Sequence, residues 1–191
     1  MPHQDEIDIR TKRTRKLIIT AFMELLHEKT FDSIRIADIT NKATINRATF
    51  YNYFTDKYQL LDTITEETLL SHFHKNLTDD DVFSPDFVKK IYLTLTDFHM
   101  NMSYICHKNH FDELSLYTSP ILRTEITNTL LKAIQLKYPQ EDSARLSSLA
   151  AIISWYIIGL SYEWKHSKQP SAEEFFNQFR EDYERLILNF G

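Results

Sequence analysis

The chain has 191 residues, two glycines, five prolines, one cysteine and a formal net charge of −5. The length allows one domain or two small ones, and the scarcity of Gly and Pro excludes a loop-rich or β-rich fold. A lone cysteine, Cys106, excludes an internal disulfide framework and suits a reducing cytoplasm. Apolar residues recur at three- and four-residue spacing almost throughout, which predicts an all-α protein. No apolar run precedes Leu17, so no secretory signal is expected and the localisation expected is cytoplasmic. The charge is uneven: residues 1–60 hold ten Lys/Arg and eight Asp/Glu, while 61–191 hold twelve and nineteen. The first part is therefore at +2 and the second at −7. Phosphate binding needs a local positive face and not a basic protein.

In chain order, residues 1–9 are expected to be disordered. The first helix is predicted over about Arg10 to Glu28, with Leu17, Ile18, Ala21, Phe22, Leu25 and Leu26 as one apolar stripe. Arg10, Lys12, Arg13, Arg15 and Lys16 stand at its start as candidates for phosphate contact. A short helix follows from about Arg35 to Lys42, burying Ile36 and Ile39. Ala43 and Thr44 make a turn, and a second short helix runs from about Asn46 to Tyr53 with Ala48 and Phe50 facing in. A helix of about eight residues is only ~12 Å long and marginal alone. Presenting it on a packed platform suits the major groove of DNA. Thr55 caps the next helix, which runs to about Lys75 and belongs to both halves.

The stretch FDSIRIADI followed by ATINRATFYNYFTDKYQLL resembles the DNA-binding half of the TetR/AcrR family of bacterial transcriptional regulators. Thr49-Phe50-Tyr51, Phe54, Asp56, Lys57, Leu60 and Leu61 are the most specific part. The resemblance covers about the first third of the chain. It implies an N-terminal three-helix helix-turn-helix domain, residues 1–56, followed by a helical-bundle regulatory and dimerisation domain, residues 57–191. It also implies phosphate contacts from Thr49, Tyr51 and Lys57. Asn46, Arg47 and Asn52 would read bases by bidentate hydrogen bonds, and Arg35 belongs to the same DNA-facing set. Three residues depart from the family pattern. Thr44 and Thr30 stand where Gly is usual, and Arg35 stands where Ser or Thr usually caps the first motif helix. Ser33 and Asp32 are alternative caps one turn earlier.

Ser84 and Pro85 start a further helix, a short piece follows from Phe111 to Leu116, and Ser119-Pro120 begins another that stops near Pro139. The helix from about Asp142 to His166 has no charged residue from Leu146 to Tyr162. That run is short for a membrane span and carries four serines and a glycine, so a largely buried helix is expected. Ser171 and Glu174 form a capping box for the last helix. These two helices are expected to pair with their copies in a homodimer through Ile153, Ile157, Leu160, Trp164, Phe176, Phe179 and Tyr183. An effector pocket, where one exists, would be walled by Tyr92, Phe98, Met102, Tyr104, Phe111, Tyr117 and Trp155.

His107 and His110, near His99 and Cys106, have the i, i+3 spacing of a metal site but lack a third ligand. Two glycines cannot make a phosphate-cradling loop, and no Ser, Cys or Asp stands in a nucleophile setting. No enzyme activity, cofactor or metal is expected. The partners expected are double-stranded DNA with an inverted-repeat operator, a second copy of the chain and a small-molecule effector, with no membrane. Repression is the default mode. The rival reading is a helical protein-interaction module whose helix-turn-helix does not bind DNA.

Overall fold

The computed structural model describes residues 4–78, 81–105, 111–167 and 171–188. Every regular element among them is helical: α1 (Gln4–Glu28), α2 (Ile36–Lys42), α3 (Arg47–Tyr51), α4 (Lys57–Asn76), α5 (Pro85–Ile105), α6 (Phe111–Lys137), α7 (Ser143–His166), α8 (Ala172–Gln178) and α9 (Arg180–Leu188). The chain divides into two compact units, one of residues 1–65 with 101–118 and one of 66–100 with 119–191. The divisions fall inside α4, α5 and α6, so each of these helices contributes residues to both units.

In the first unit, Ile18, Ala21, Phe22, Leu25 and Leu26 of α1 are buried at helical spacing and meet Phe31, Ile34, Ile39, Phe50, Phe54, Leu60 and Leu61. Leu17, expected in that stripe, is exposed. It directly precedes Ile18 and so lies about 100° away around the helix. Ile36 and Ile45 are only half-buried. The helix also begins at Gln4, earlier than expected. The Lys42 ammonium reaches Glu28 at 2.6 Å and Glu24 at 3.3 Å, tying the end of α2 to α1.

In the second unit, Val88, Ile91, Tyr92, Leu95 and Phe98 of α5 are buried. They share that core with Leu122, Ile126, Leu130 and Ile134 of α6 and with Leu146, Leu149, Ile153 and Ile157 of α7. The helix starts follow ordinary capping rules. Ser84 accepts from the Phe87 amide at 3.2 Å, Asp142 from Arg145 at 2.9 Å and Ser171 from Glu174 at 3.2 Å. Phe176 packs on Tyr92, ring centroids 5.0 Å apart, and on Tyr183 at 5.1 Å; the Tyr183 hydroxyl donates to the Pro85 carbonyl.

Three helix boundaries differ from the sequence expectation. Asp56, not Thr55, caps α4: its Oδ1 accepts from the Gln59 amide at 2.8 Å, while Gln59 reaches back to the Thr55 amide at 2.6 Å. A helix runs straight through Ser119-Pro120. Proline there removes a bond to the carbonyl four residues back, and that residue, Leu116, is 76% exposed, so water can serve the freed carbonyl. The last helix is broken at Phe179, whose ψ of 9° does not continue the helix.

Phe176→Ala is expected to lower stability by about 3–5 kcal/mol, because its ring fills intrachain core. Urea denaturation followed by far-UV circular dichroism measures it.

Candidate nucleic-acid interface

The α2–turn–α3 segment is held at each joint. At the start of α2, Arg35 occupies the cap position in an extended conformation. A guanidinium has no acceptor, so the capping runs the other way. The Asp38 carboxylate accepts the Arg35 amide at 2.8 Å and the Lys29 ammonium at 2.7 Å. The Lys29 hydrogen bond first, and the Arg35 amide next, hold the Asp38 carboxyl below its usual value. Ser33 instead donates to the Thr30 carbonyl, and Asp32 makes other contacts described below.

In the turn, Thr44 has φ of 55°, the left-handed region that a β-branched residue rarely occupies. The conformation lets the Ile45 amide reach the Thr40 carbonyl at 3.0 Å and closes the corner between the two helices. This is the position where the sequence departs from glycine, and the backbone keeps the glycine-like geometry.

α3 spans five residues, Arg47–Tyr51. Asn46 is its cap: the Asn46 Oδ1 accepts from the Thr49 amide at 2.7 Å and from the Thr49 hydroxyl at 2.9 Å. Phe50 is fully buried, against Phe54 at 5.9 Å. Arg47, Ala48, Tyr51 and Asn52 are all exposed. Ala48, expected to face in, faces out, because it lies two residues and about 200° from Phe50. Its methyl group is exposed on the same side as Arg47 and Tyr51. The Arg47 guanidinium donates to the Tyr51 hydroxyl at 3.1 and 3.3 Å and lies 5.6 Å from its ring centroid. The two outward side chains thus fix one another one turn apart.

Lys57 is placed differently from the phosphate role that the resemblance implies. Its ammonium donates to the Phe31 carbonyl at 2.8 Å and the Asp32 carbonyl at 3.0 Å, and sits 4.5 Å from the Phe31 ring centroid. Burial lowers its pKa, opposed by Asp32 and Glu113. The same loop is gripped by the start of α6. Glu113 accepts the Asp32 amide at 3.0 Å, and the Tyr117 hydroxyl donates to the Asp32 carboxylate at 2.9 Å. Tyr117 also packs on Phe31 at 4.9 Å and Tyr58 at 5.7 Å. Of the basic residues of α1, Arg10, Lys12, Arg13 and Lys16 are exposed, and Arg15 lies over the Phe54 ring at 5.8 Å.

The residues expected to wall one pocket are spread. Tyr117 belongs to the first unit; Tyr92 and Phe98 are core of the second. Trp155 is 56% exposed, with the Arg123 guanidinium 5.6 Å above its ring. The side chains of Met102, Tyr104 and Phe111 lie outside the described residues, as do His107, His110 and Cys106. A cavity of about 420 Å³ opens elsewhere in the second unit, between α4, α5 and α6. Of the residues expected to pair two copies, Ile153, Ile157, Leu160, Phe176 and Tyr183 are buried within one chain, Trp164 is half-buried and Phe179 is exposed. The outward face of α7 carries Ile152, Trp155, Gly159 and Tyr162 instead.

Residues 18–64 match the model of bacterial regulatory proteins of the tetR family. An uncharacterised HTH-type transcriptional regulator, YxbF of Bacillus subtilis (strain 168), is 41% identical over 66 residues, 34% of this chain and 17% of that protein. The HTH-type dhaKLM operon transcriptional activator DhaS of Lactococcus lactis subsp. lactis (strain IL1403) is 36% identical over 63 residues, 33% of this chain and 34% of that protein. The matches thus span 17% and 34% of the length of these two curated relatives. The crystal structure of the TetR family repressor AlkX from Dietzia sp. strain DQ12-45-1b superposes with a TM-score of 0.50 at 13% identity, covering 92% of this chain and 95% of that one. At that identity the likeness is one of fold.

Two predictions test this geometry. Thr44→Gly relieves about 1–2 kcal/mol of left-handed strain against about 0.5–1 kcal/mol of added chain entropy. A net gain between zero and about 1.5 kcal/mol is expected, read as a higher Tm. Asp38 carries a lowered pKa, so its stabilisation is complete above the ordinary carboxylate range and is lost as pH falls through the folded value. Asp38→Asn should therefore lower the Tm at neutral pH, with the difference from wild type shrinking on acidification, as melts across that range would show.

Proposed function

We propose that this chain, whose residues 18–64 match the model of bacterial regulatory proteins of the tetR family, is a cytoplasmic, homodimeric DNA-binding transcription regulator. It grips an inverted-repeat operator with two copies of α3. The observation that carries this reading is the split of α3 itself: Phe50 is fully buried, while Arg47, Ala48, Tyr51 and Asn52 are left to solvent on a capped, five-residue helix. In the complex the Arg47–Tyr51 pair opens, with the guanidinium turning to a guanine edge and the hydroxyl to a phosphate. Asn52 is the second base-reading candidate. Asn46 and Thr49 act mainly by shaping the helix start, and a phosphate on the Thr49 hydroxyl requires that hydroxyl to leave Asn46. Lys57 acts by holding the loop before α2, with one ammonium hydrogen left for DNA. Arg35 and the exposed basic residues of α1 supply phosphate contacts.

The dimer forms through the outward stripe of α7. Ile152, Trp155, Gly159 and Tyr162 follow a three-and-four spacing, and a Cβ built on Gly159 meets nothing within 4 Å. That open position lets a second helix approach closely. A two-fold dimer would present recognition helices to successive major-groove faces, one turn of about 34–36 Å or more apart. Repression by occluding a promoter needs tight binding alone and is the mode proposed. Relief would come from a small molecule that favours a different spacing of the two heads.

Affinity for the operator should fall steeply with salt. Arg47→Ala should relax preference at one base pair by about 1–3 kcal/mol, whereas Tyr51→Phe should weaken all sequences alike; fluorescence anisotropy with operator and mismatched duplexes separates the two patterns. Binding that is absent or insensitive to salt would favour a protein-interaction module. Trp155→Glu is expected to leave the fold intact and to yield monomers by sedimentation velocity, and a variant that stays dimeric would remove this face from the interface.

A further inference from the structure

We propose that Glu113 and Tyr117, near the start of α6, are positioning residues for DNA reading: they hold the loop before α2 and so fix the angle at which α3 is presented. The inference deepens the DNA-binding reading above and rests on it for its consequence, though not for its geometry. Residues 101–118 belong to the same compact unit as residues 1–65. Glu113, Leu114, Tyr117 and Thr118 stand at i, i+1, i+4 and i+5, which is one side of a helix. Leu114 and Thr118 are buried and anchor that side. The Tyr117 ring packs on Phe31 at 4.9 Å and Tyr58 at 5.7 Å.

From this anchor both polar groups reach one residue, Asp32. Its amide donates to Glu113 at 3.0 Å, across 81 positions of chain, and its carboxylate accepts the Tyr117 hydroxyl at 2.9 Å. Its carbonyl accepts the Lys57 ammonium at 3.0 Å. Asp32 is thus held through its amide, its carbonyl and its side chain. Of the three holders, the ammonium alone is attracted by DNA phosphate. The carboxylate and the phenol of α6 are the two that stay on the loop when DNA arrives.

The loop matters because α2 is short. Its far end is tied to α1 by Lys42, at 2.6 Å from Glu28 and 3.3 Å from Glu24. Its near end follows Asp32 through Ser33, Ile34 and the cap residue Arg35. The Asp32 loop is therefore the second point at which α2 is held. α3 leaves α2 through the turn closed by the Ile45 amide on the Thr40 carbonyl, so it carries the tilt of α2 with it. Reading bases requires side chains held to within about 0.5 Å. The two α6 bonds lie near the surface and each adds modestly to global stability; orientation is what they set.

Charge separates this role from a direct one. A carboxylate repels phosphate, so if Glu113 acted on DNA by charge alone, its removal would tighten binding to every duplex. The positioning role predicts the opposite sign, and only for the sequence that is read.

The test uses the full-length chain, the duplex it enriches from a randomised pool and a scrambled duplex of equal length. Glu113→Ala should weaken the enriched duplex about tenfold and leave the scrambled one unchanged. Glu113→Gln, which keeps an acceptor for the Asp32 amide, should bind as wild type does. Tyr117→Phe, which keeps the ring, should weaken the enriched duplex roughly threefold. Hydrogen exchange without DNA should quicken over residues 34–52 in Glu113→Ala and stay unchanged over α7. Tighter binding of both duplexes by Glu113→Ala, equal loss on both, unchanged binding, or exchange that quickens throughout the chain would each overturn the proposal. Failure to enrich any duplex would sink the regulatory reading, and the hold on the loop would then stand or fall with the exchange pattern.

Discussion

A helix of five residues cannot hold itself. Nucleation fixes several residues for each hydrogen bond formed, and isolated helices this short do not persist in water. α3 exists because its surroundings impose it. Asn46 satisfies the first turn twice over, through the Thr49 amide and hydroxyl. Phe50 is sunk completely into the core of the first unit. The left-handed Thr44 sets the angle at which the segment leaves α2. Each of these acts on the inner side or the ends of the helix, and so the outer side is left without any structural duty. Its residues can be chosen for what they touch.

The loop before α2 shows a second economy. Phe31 and Asp32 are held by side chains from two other helices, Lys57 at the first residue of α4 and Glu113 with Tyr117 near the start of α6. The cation lies over the Phe31 ring while bonding to the backbone beside it, so one ammonium serves packing and polarity together. α4 and α6 also supply both walls of the cavity in the second unit.

The helical class and the motif were legible in the residues, because Ile39, Phe50, Phe54 and Leu61 leave one consistent apolar side and Ser84 and Ser171 are ordinary caps. The differences have separate causes. Where both sides of a helix are apolar, spacing shows the period and not which side is inside. On α7 the Ile153 and Ile157 side went to the core and the Ile152 and Trp155 side to the surface, the reverse of the reading made from sequence. Ala48 is a simpler case, since its distance of two residues from Phe50 already placed it on the outer side. Lys57 could not have been read at all. Its partners are backbone carbonyls at Phe31 and Asp32, and carbonyls carry no signature in a sequence.

The central claim is that the outward side of α3 reads DNA, twice, about a two-fold axis. Selection of duplexes from a randomised pool by the full-length chain, followed by sequencing of those retained, tests it most directly. The account predicts enrichment of an inverted repeat, lost when the selection is repeated with an Arg47→Ala, Asn52→Ala double variant. A pool that stays random, or one enriched for the same motif by both proteins, would contradict it.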